Sequence, residues 1–183
     1  ESENSGKRGS TGGRSFAHHG ALIVPPRSRV LVTTAMRELV TVQLGQCGNQ
    51  IGRQFWQQAL AEHAQNCDNE RYDAAMSAFF RNVDARVIPP RELRLGSPIA
   101  ALRARAVLVD SEEGVVGQLL HGHLKDLFDP RLLVTDVSGA GNNWAHGNNF
   151  YGPKYRDDLL EAVRRAAEHC HSLQSFFLMH SLG

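Results

Sequence analysis

The stretch LVTVQLGQCGNQIGRQFW, residues 39–56, indicates how the fold begins. Its first part, up to Leu44, is mostly apolar and β-branched, as in a buried strand. Gly45 and Gly48 then allow the backbone to approach a ligand closely. From Gln46 onward the apolar residues recur at helical spacing, at Ile51, Phe55 and Ala59. Because free N–H groups at the helix start would face the turn, we expect an anion such as a phosphate to bind there.

Further strands and helices alternate along the chain. Apolar runs predict strands over 104–110, 132–137 and 174–180. Helical spacing predicts one helix over 116–127 and a long helix over 155–170. This order predicts an α/β fold, with a mostly parallel sheet and helices on both of its faces.

Residues 66–103 lack this alternation. The pattern over 72–80 predicts a short helix, and four turn-forming residues then indicate a loop, at Pro89, Pro90, Gly96 and Pro98. The segment is therefore expected to be irregular.

Two loops that follow predicted strands carry residues suited to a nucleotide. Asp110 and Glu112 end the second strand, and their carboxylate oxygens suit magnesium, although an arbitrary acidic turn of this kind is more often only solvated. The loop SGAGNNW, residues 138–144, suits a terminal phosphate because its glycines and amides donate hydrogen bonds. The phosphate contacts are expected at Gly139, Ala140, Gly141 and Asn142, whereas Asn143 and Trp144 are expected to hold the loop in place.

Three segments in order resemble the tubulin family, over its N-terminal GTP-binding domain. They are MRELVTVQLGQCGNQIGRQFW at 36–56, ARAVLVDSEEGVV at 104–116 and TDVSGAGNNWAHG at 135–147. Within the family, three other segments are more similar to the epsilon branch than to the alpha or beta branches: SAFFRNVDARV at 77–87, LKDLFD at 124–129 and AEHCHSLQSFFLMHSLG at 167–183.

The resemblance implies roles for individual residues. Gly45 and Gln46 would lie at the phosphates, and Cys47 and Gln50 beside the nucleoside. Without the resemblance, Cys47 is as well explained as a small buried hydrophobic residue. The remaining implied contacts are a fourth phosphate turn beginning at Ser181 and Gly183, and Mg²⁺ at Glu112 with Asp110.

The function that the resemblance implies is that of a GTP- and GDP-binding cytoskeletal protein, a structural constituent of microtubules in the cytoplasm. The epsilon branch implies a location at the centrosome, centriole or basal body. The implied partners are other tubulin subunits in longitudinal assembly and centriolar microtubules. Tubulin hydrolysis uses an acid from a later segment of the neighbouring subunit, so no catalytic residue is expected in this chain, and a GTPase activity would belong to the full-length protein on assembly.

Three alternatives stay open. The chain could belong to an alpha- or beta-like lattice subunit. It could be a nucleotide-dependent enzyme on a similar sheet, which would need Asp110, Glu112 or Asp136 as an acid or base. It could also be a truncated product without a stable fold, in which case nucleotide affinity would be weak or absent.

The expected organisation is an N-terminal extension over residues 1–35, followed by the first part of a GTP-binding domain over 36–183. The extension is rich in Gly, Ser, Arg and His, carries a net charge of +3, and is expected to be disordered or non-native, with a targeting peptide as the weaker alternative. The chain of 183 residues starts at Glu1, not Met, and stops where a tubulin would continue into a glycine-rich turn, so it is expected to be a truncated piece.

Composition argues against several other classes. No apolar run is long enough for a bilayer, and basic residues do not cluster with aromatic ones, so neither membrane nor nucleic acid is an expected partner. Three cysteines without a CxxC pair indicate neither a disulfide framework nor a zinc ribbon, and fit a reducing cytosol. No GxxxxGK[ST] motif occurs, which excludes a P-loop enzyme.

Overall fold

Four parallel strands form the central sheet of the computed structural model, which describes residues 37–66 and 71–182. The expected extension over 1–35, together with Cys67 and Gly183, lies outside the described residues. The sheet has the order β6-β5-β1-β7, where the strands are β1 Glu38–Leu44, β5 Ala106–Asp110, β6 Leu133–Thr135 and β7 Leu173–Met179. The predicted α/β class with a mostly parallel sheet is confirmed.

Helix α1, Gly45–Asn66, follows β1 without an intervening loop. Gly45 has a φ of +68°, a left-handed conformation that glycine adopts without a steric penalty, and it turns the strand directly into the helix. The predicted strand and helix are therefore confirmed, with the helix starting one residue earlier than the pattern indicated.

Helices cover both faces of the sheet. On one face, α1 and α3, Glu113–His121, pack Trp56, Val116 and Leu119 against Leu108. On the other face, the long helix α5, Gly152–Glu168, packs its buried alanines against strand residues, in a cluster that contains Val40, Val107, Val134, Ala162 and Ala166. Neighbouring strand residues point to opposite faces, so both faces of β5 are buried.

A second, antiparallel sheet occupies the segment that the pattern predicted to be irregular, so that prediction is wrong. Helix α2, Ala74–Phe79, lies within the predicted 72–80 helix and leads into the sheet. The three strands have the order β3-β2-β4, where β2 is Phe80–Asp84, β3 is Arg91–Glu92 and β4 is Ala101–Ala104. The hydrophobic pattern did not predict β2 because its buried residues include Arg81 and Asn82.

Arg105 divides the predicted 104–110 strand between the two sheets. β4 ends at Ala104 in the antiparallel sheet and β5 begins at Ala106 in the parallel sheet. The buried Arg105 guanidinium contacts the Glu38 carboxylate and donates to the carbonyl oxygens of Ser77 at 3.1 Å and His169 at 2.6 Å. One buried arginine thus fixes the point where the chain changes sheets.

The other element boundaries differ from the predictions in smaller ways. The helix predicted over 116–127 ends at His121, since Gly122 has an extended backbone, and Leu124 and Leu127 are buried outside α3. β6 is shorter than the predicted 132–137 strand because its beginning is taken by a 3₁₀ turn, Pro130–Leu132. Among the described residues, no helix combines the length and apolar character needed to cross a membrane.

Candidate functional site

The carboxyl ends of the four parallel strands meet at one edge of the sheet. β1 leads into α1, and β5 leads into a short acidic loop that contains Asp110 and Glu112. β6 leads into a loop that ends at the short helix α4, Trp144–His146. Ligands of open parallel sheets bind at this edge, so the folded chain brings the predicted loops together where a ligand is expected.

Asn49 joins the start of α1 to β5. This fully buried residue, in the first turn and a half of α1, donates through Nδ2 to the carbonyl oxygens of Gly45 at 2.9 Å and Val109 at 3.1 Å. Sequence reasoning did not single out Asn49. The sequence feature that could have revealed it is a polar residue on the face of α1 that packs against the sheet. A buried amide without hydrogen-bond partners is costly, so such a residue indicates a specific contact.

Gly48 has a packing role, which differs from its predicted role in ligand approach. A Cβ at this position would overlap the carbonyl oxygen of Met179, so the glycine lets α1 lie directly on the end of β7. Gly45 differs, because no atom lies within 4 Å of the position that its Cβ would take. The open space beside Gly45 is compatible with the predicted approach of a phosphate.

The first turn of α1 is suited to an anion. It contains no acidic residue, so no side-chain carboxylate competes for the free N–H groups at the helix start. Gln46 and Gln50 are exposed, and neither side chain forms a hydrogen bond within the described part of the chain. Cys47 is a half-buried free thiol. These side chains are available to a ligand.

The acidic loop after β5 contains one buried and one exposed carboxyl group. Asp110 is buried, and its Oδ1 accepts a hydrogen bond from the Glu112 backbone N–H at 3.1 Å. Burial raises the pKa of Asp110, and the nearby Glu112 charge acts in the same direction. Glu112 precedes α3 but makes no capping hydrogen bond through its side chain. Its carboxylate is therefore free for another contact.

That contact is with the loop after β6. A Cβ on Gly139 would overlap Oε1 of Glu112, so the carboxylate lies directly against the backbone of this glycine. The backbone also links the two loops, because the Asp136 N–H donates to the Asp110 carbonyl oxygen at 3.2 Å. The two loops that sequence reasoning assigned to the metal and the terminal phosphate are in contact.

The backbone of the β6 loop takes an unusual conformation. Gly141 and Asn142 both have left-handed φ values, of 59° and 57°, and both are exposed. Glycine adopts this conformation freely, and asparagine tolerates it better than most residues. The turn presents its backbone to solvent at the strand-end edge, as a phosphate contact requires, and Ala140 beside it is half-buried.

Asn143 holds the end of this loop, as expected. Its Oδ1 accepts a hydrogen bond from the His146 N–H at 3.2 Å, which caps α4. Trp144 was expected to help, but it is 78% exposed. The loop is tied instead by Ser138, whose hydroxyl lies 3.0 Å from the Tyr151 hydroxyl and whose carbonyl oxygen accepts from that hydroxyl.

Asp136 is engaged in an ion pair. Lys154 Nζ lies 2.7 Å from its Oδ2, and this hydrogen bond, with others from Tyr155 and the Val137 N–H, lowers the pKa of Asp136 to about 2. The Lys154 ammonium also lies 4.8 Å from the centre of the Tyr155 ring. A carboxylate held in this way is a weak base.

The fourth predicted contact is only partly described. Ser181 follows β7 at the same edge and is exposed. Its predicted companion Gly183 lies outside the described residues.

A magnesium ion fits this edge only if phosphates and water complete its coordination. The described residues contain no cluster of three or more His, Cys, Asp or Glu side chains that could hold a metal. Mg²⁺ commonly takes one or two carboxylates and fills its remaining positions with water and substrate phosphates. Glu112, with Asp110 behind it, meets that smaller requirement.

Similarity to known proteins agrees with this geometry. Over 148 residues the chain is 53% identical to the tubulin epsilon chain of Homo sapiens and 51% identical to that of Mus musculus. It is 39% identical over 154 residues to the tubulin beta-1 chain of Colletotrichum graminicola. Each match covers 81% of this chain but only 31% or 32% of the relative, so the chain spans about a third of the length of these proteins.

The family comparison covers both sheets and the segments that follow the four parallel strands. Residues 38–183 match the Tubulin/FtsZ family, GTPase domain. The match includes the start of α1, which Asn49 joins to β5, and the two loops that are in contact through Glu112 and Gly139. The chain therefore belongs to the Tubulin/FtsZ family.

Proposed function

We propose that the protein binds GTP or GDP with Mg²⁺ at the strand-end edge, and that it acts as a tubulin subunit that assembles longitudinally with other tubulin subunits. The contact between Glu112 and Gly139 is the observation that carries this proposal. It joins a carboxylate suited to Mg²⁺ to a glycine loop suited to a terminal phosphate, at the edge where parallel sheets bind ligands.

Two groups of donors are proposed for the phosphates. The first is the start of α1, where Gly45 and Gln46 contribute N–H groups and an amide. The second is the loop after β6, at Gly139, Ala140, Gly141 and Asn142, with Ser181 and Gly183 as a further contact. Cys47 and Gln50 are proposed to pack beside the nucleoside.

Glu112 is proposed to hold the magnesium, directly or through a water, and Asp110 to orient the loop behind it. Asp110 accepts the Glu112 N–H, so it fixes the backbone from which the Glu112 side chain projects. Bound Mg²⁺ would neutralise charge on the nucleotide phosphates. The burial of Asp110 and the hydrogen bond that it accepts from the Glu112 N–H support this orienting role.

The cellular role is proposed from the relatives. Over the aligned residues, two tubulin epsilon chains are 53% and 51% identical to this chain, whereas the fungal tubulin beta-1 chain is 39% identical. This difference supports a protein that organises microtubules at centrioles or basal bodies, in the cytoskeleton. Hydrolysis is proposed to require assembly, with no catalytic residue supplied by this chain.

A titration followed by nuclear magnetic resonance tests the nucleotide site even if affinity is low. Adding GTP with Mg²⁺ to the ¹⁵N-labelled chain should shift the amide signals of Gln46, Gly139, Gly141 and Asn142. Glu112→Gln should weaken GTP binding much more when Mg²⁺ is present than when excess EDTA removes it. Glu62→Gln, at an exposed position near the end of α1, is the matched control and should change neither affinity.

Shifts confined to other residues, or equal affinities for Glu112→Gln and the unaltered chain in Mg²⁺, would overturn the site. A monomeric nucleotide-dependent enzyme is a separate hypothesis, and the Asp136–Lys154 ion pair weighs against it because it weakens a candidate base. GTP turnover per molecule that stays constant on dilution would favour that enzyme. Turnover by a full-length version that falls on dilution would favour assembly.

A further inference from the structure

A groove near the amino ends of the parallel strands, away from the strand-end loops, is lined by several arginine side chains. Its volume is about 470 Å³, and we call it the arginine groove; its principal lining residues are Tyr72, Arg81, Arg91, Glu92, Arg94 and His171. His171 lies just before β7, where the Glu38 N–H donates to the Ser172 carbonyl oxygen. The groove is therefore next to the amino ends of the parallel strands, whereas the proposed nucleotide site is at their carboxyl ends.

The inner wall of the groove is electrically balanced. Arg81 is buried, and its guanidinium lies 2.9 Å from Glu92 and 3.5 Å from Asp129. Burial alone would raise the pKa of Glu92, but hydrogen bonds from His169 and Arg81 outweigh burial and lower it to about 2. The Arg81–Glu92 pair therefore carries no net charge that could attract a ligand.

The rim carries two arginines that form no direct ion pair within the described residues. Arg91 and Arg94 are exposed, and neither guanidinium has a hydrogen bond or ion pair within residues 37–66 and 71–182. Asp84 is opposite Arg91 in the backbone register of β2 and β3. Both of its carboxylate oxygens, however, already accept hydrogen bonds from the Arg86 side chain, each at 2.8 Å. An anionic group in the groove would therefore meet two guanidinium groups that no carboxylate of the described residues binds directly, although the Asp84 charge acts on Arg91 through space.

The remaining lining favours a peptide. β3 is an edge strand of its sheet, so one side of its backbone faces away from β2, and extended peptides add to such edges. Leu93 and the 40%-exposed Leu95 supply apolar surface next to the arginines. Arg91 lies in β3, and Arg94 and Leu95 follow within three residues of its end, so a peptide at this edge would meet both charged and apolar surface.

We propose that the arginine groove binds an acidic peptide segment of a partner protein, with carboxylates on Arg91 and Arg94. Arginine is suited to this role because its planar guanidinium binds a carboxylate through two parallel hydrogen bonds. The proposal goes beyond the nucleotide site and does not depend on it, since the two sites share no residue.

Fluorescence anisotropy tests this proposal with the full chain. The probe is a short fluorescein-labelled peptide with glutamate at alternate positions, and its glutamine counterpart should not bind. The double variant Arg91→Ala with Arg94→Ala should weaken binding roughly tenfold or more, because two charge-assisted contacts are lost. The control is Arg53→Ala with Arg156→Ala, which removes two exposed arginines elsewhere and gives the same net charge. It should retain affinity.

Charge reversal separates a specific contact from general electrostatic attraction. Arg91→Glu with Arg94→Glu should lose the glutamate peptide and bind a peptide with lysine at the same positions. Equal loss in the two alanine double variants would overturn the proposal. So would the absence of glutamate-peptide binding, or displacement of that peptide by inorganic phosphate where sodium chloride of equal ionic strength does not displace it.

Discussion

The carboxylate of Glu112 lies against the backbone of Gly139, and this contact joins the loops that follow β5 and β6. There is no room for a Cβ between them, so the position of the carboxylate depends on the absence of a side chain at residue 139. The obstructing atom would be the end of a flexible side chain, which can move away. A small substitution should therefore alter the site much more than the fold.

Gly139→Ala should displace the Glu112 carboxylate. We expect affinity for GTP with Mg²⁺ to fall roughly tenfold, the size of effect seen when a group that orients a metal ligand is changed. The free energy of unfolding should change by less than about 0.5 kcal/mol, because Glu112 is exposed and can turn into solvent. The nuclear magnetic resonance titration measures the affinity, and urea denaturation measures the free energy of unfolding. A large loss of stability with unchanged affinity would contradict the assigned role.

Gly48→Ala should have the opposite profile, because its Cβ would meet backbone and not a flexible side chain. The carbonyl oxygen of Met179 lies where that Cβ would be placed, so the backbone of α1 or β7 would have to shift. We expect a loss of about 1–3 kcal/mol in the free energy of unfolding, the usual effect of overpacking. Urea denaturation followed by circular dichroism measures it.

Gly117→Ala is the matched control for both glycine variants. Gly117 lies within α3, and no atom is within 4 Å of the position of its Cβ. Alanine there should stabilise the chain by about 0.5–1 kcal/mol, because it loses less backbone entropy than glycine in a helix. If Gly48→Ala and Gly117→Ala changed stability equally, the packing explanation for Gly48 would be wrong.

The parallel sheet was predictable from the sequence because its strands obey simple rules. β5 is a short, almost entirely apolar run, β1 contains Leu39, Val40, Val42 and Leu44, and α5 carries Ala162 and Ala166 on one face at helical spacing. Residues that follow such strands collect at one edge, which is why the contact between Glu112 and the 138–144 loop could be anticipated without coordinates. Local pattern and global fold agree in these elements.

The antiparallel sheet was missed because polar side chains are buried in it. Asn82 is almost fully buried on β2, yet it donates to the Pro98 carbonyl oxygen at 2.9 Å and accepts from the Ala100 N–H at 2.9 Å. Such hydrogen bonds make burial possible, but they join residues distant in sequence and leave no periodic signal. The same applies to Arg105, whose partners belong to three other segments.

Arg105→Met should be strongly destabilising. It would leave the Glu38 carboxylate buried without its guanidinium partner, and breaking a buried pair by removing one member costs about 3–5 kcal/mol. The double variant Glu38→Leu with Arg105→Met should be less destabilised than the sum of the single variants, because no isolated charge remains. Urea denaturation of all four proteins gives the interaction energy. Additive effects would show that the two side chains are not coupled.

Asp129→Asn should change how stability depends on pH. Burial raises the pKa of Asp129, but hydrogen bonds from the Arg131 side chain and backbone outweigh burial and lower it to about 2, from an ordinary value of 3.8. A carboxyl group whose pKa is lower in the folded state stabilises the fold above its unfolded pKa. That contribution is lost as the pH falls from 3.8 towards about 2.

The unaltered chain should therefore lose more stability than Asp129→Asn between pH 5 and pH 2, by about 1–2 kcal/mol after allowance for solvent screening. Asp157→Asn is the matched control, because the Asp157 side chain is 94% exposed, and its pH dependence should follow that of the unaltered chain. Urea denaturation at a series of pH values measures all three. If the free energy of unfolding changed with pH in parallel for Asp129→Asn and the unaltered chain, the Arg131 hydrogen bonds to Asp129 would contribute nothing to stability. A stability difference that appears only at the higher pH values would identify the ionised carboxylate as the stabilising species.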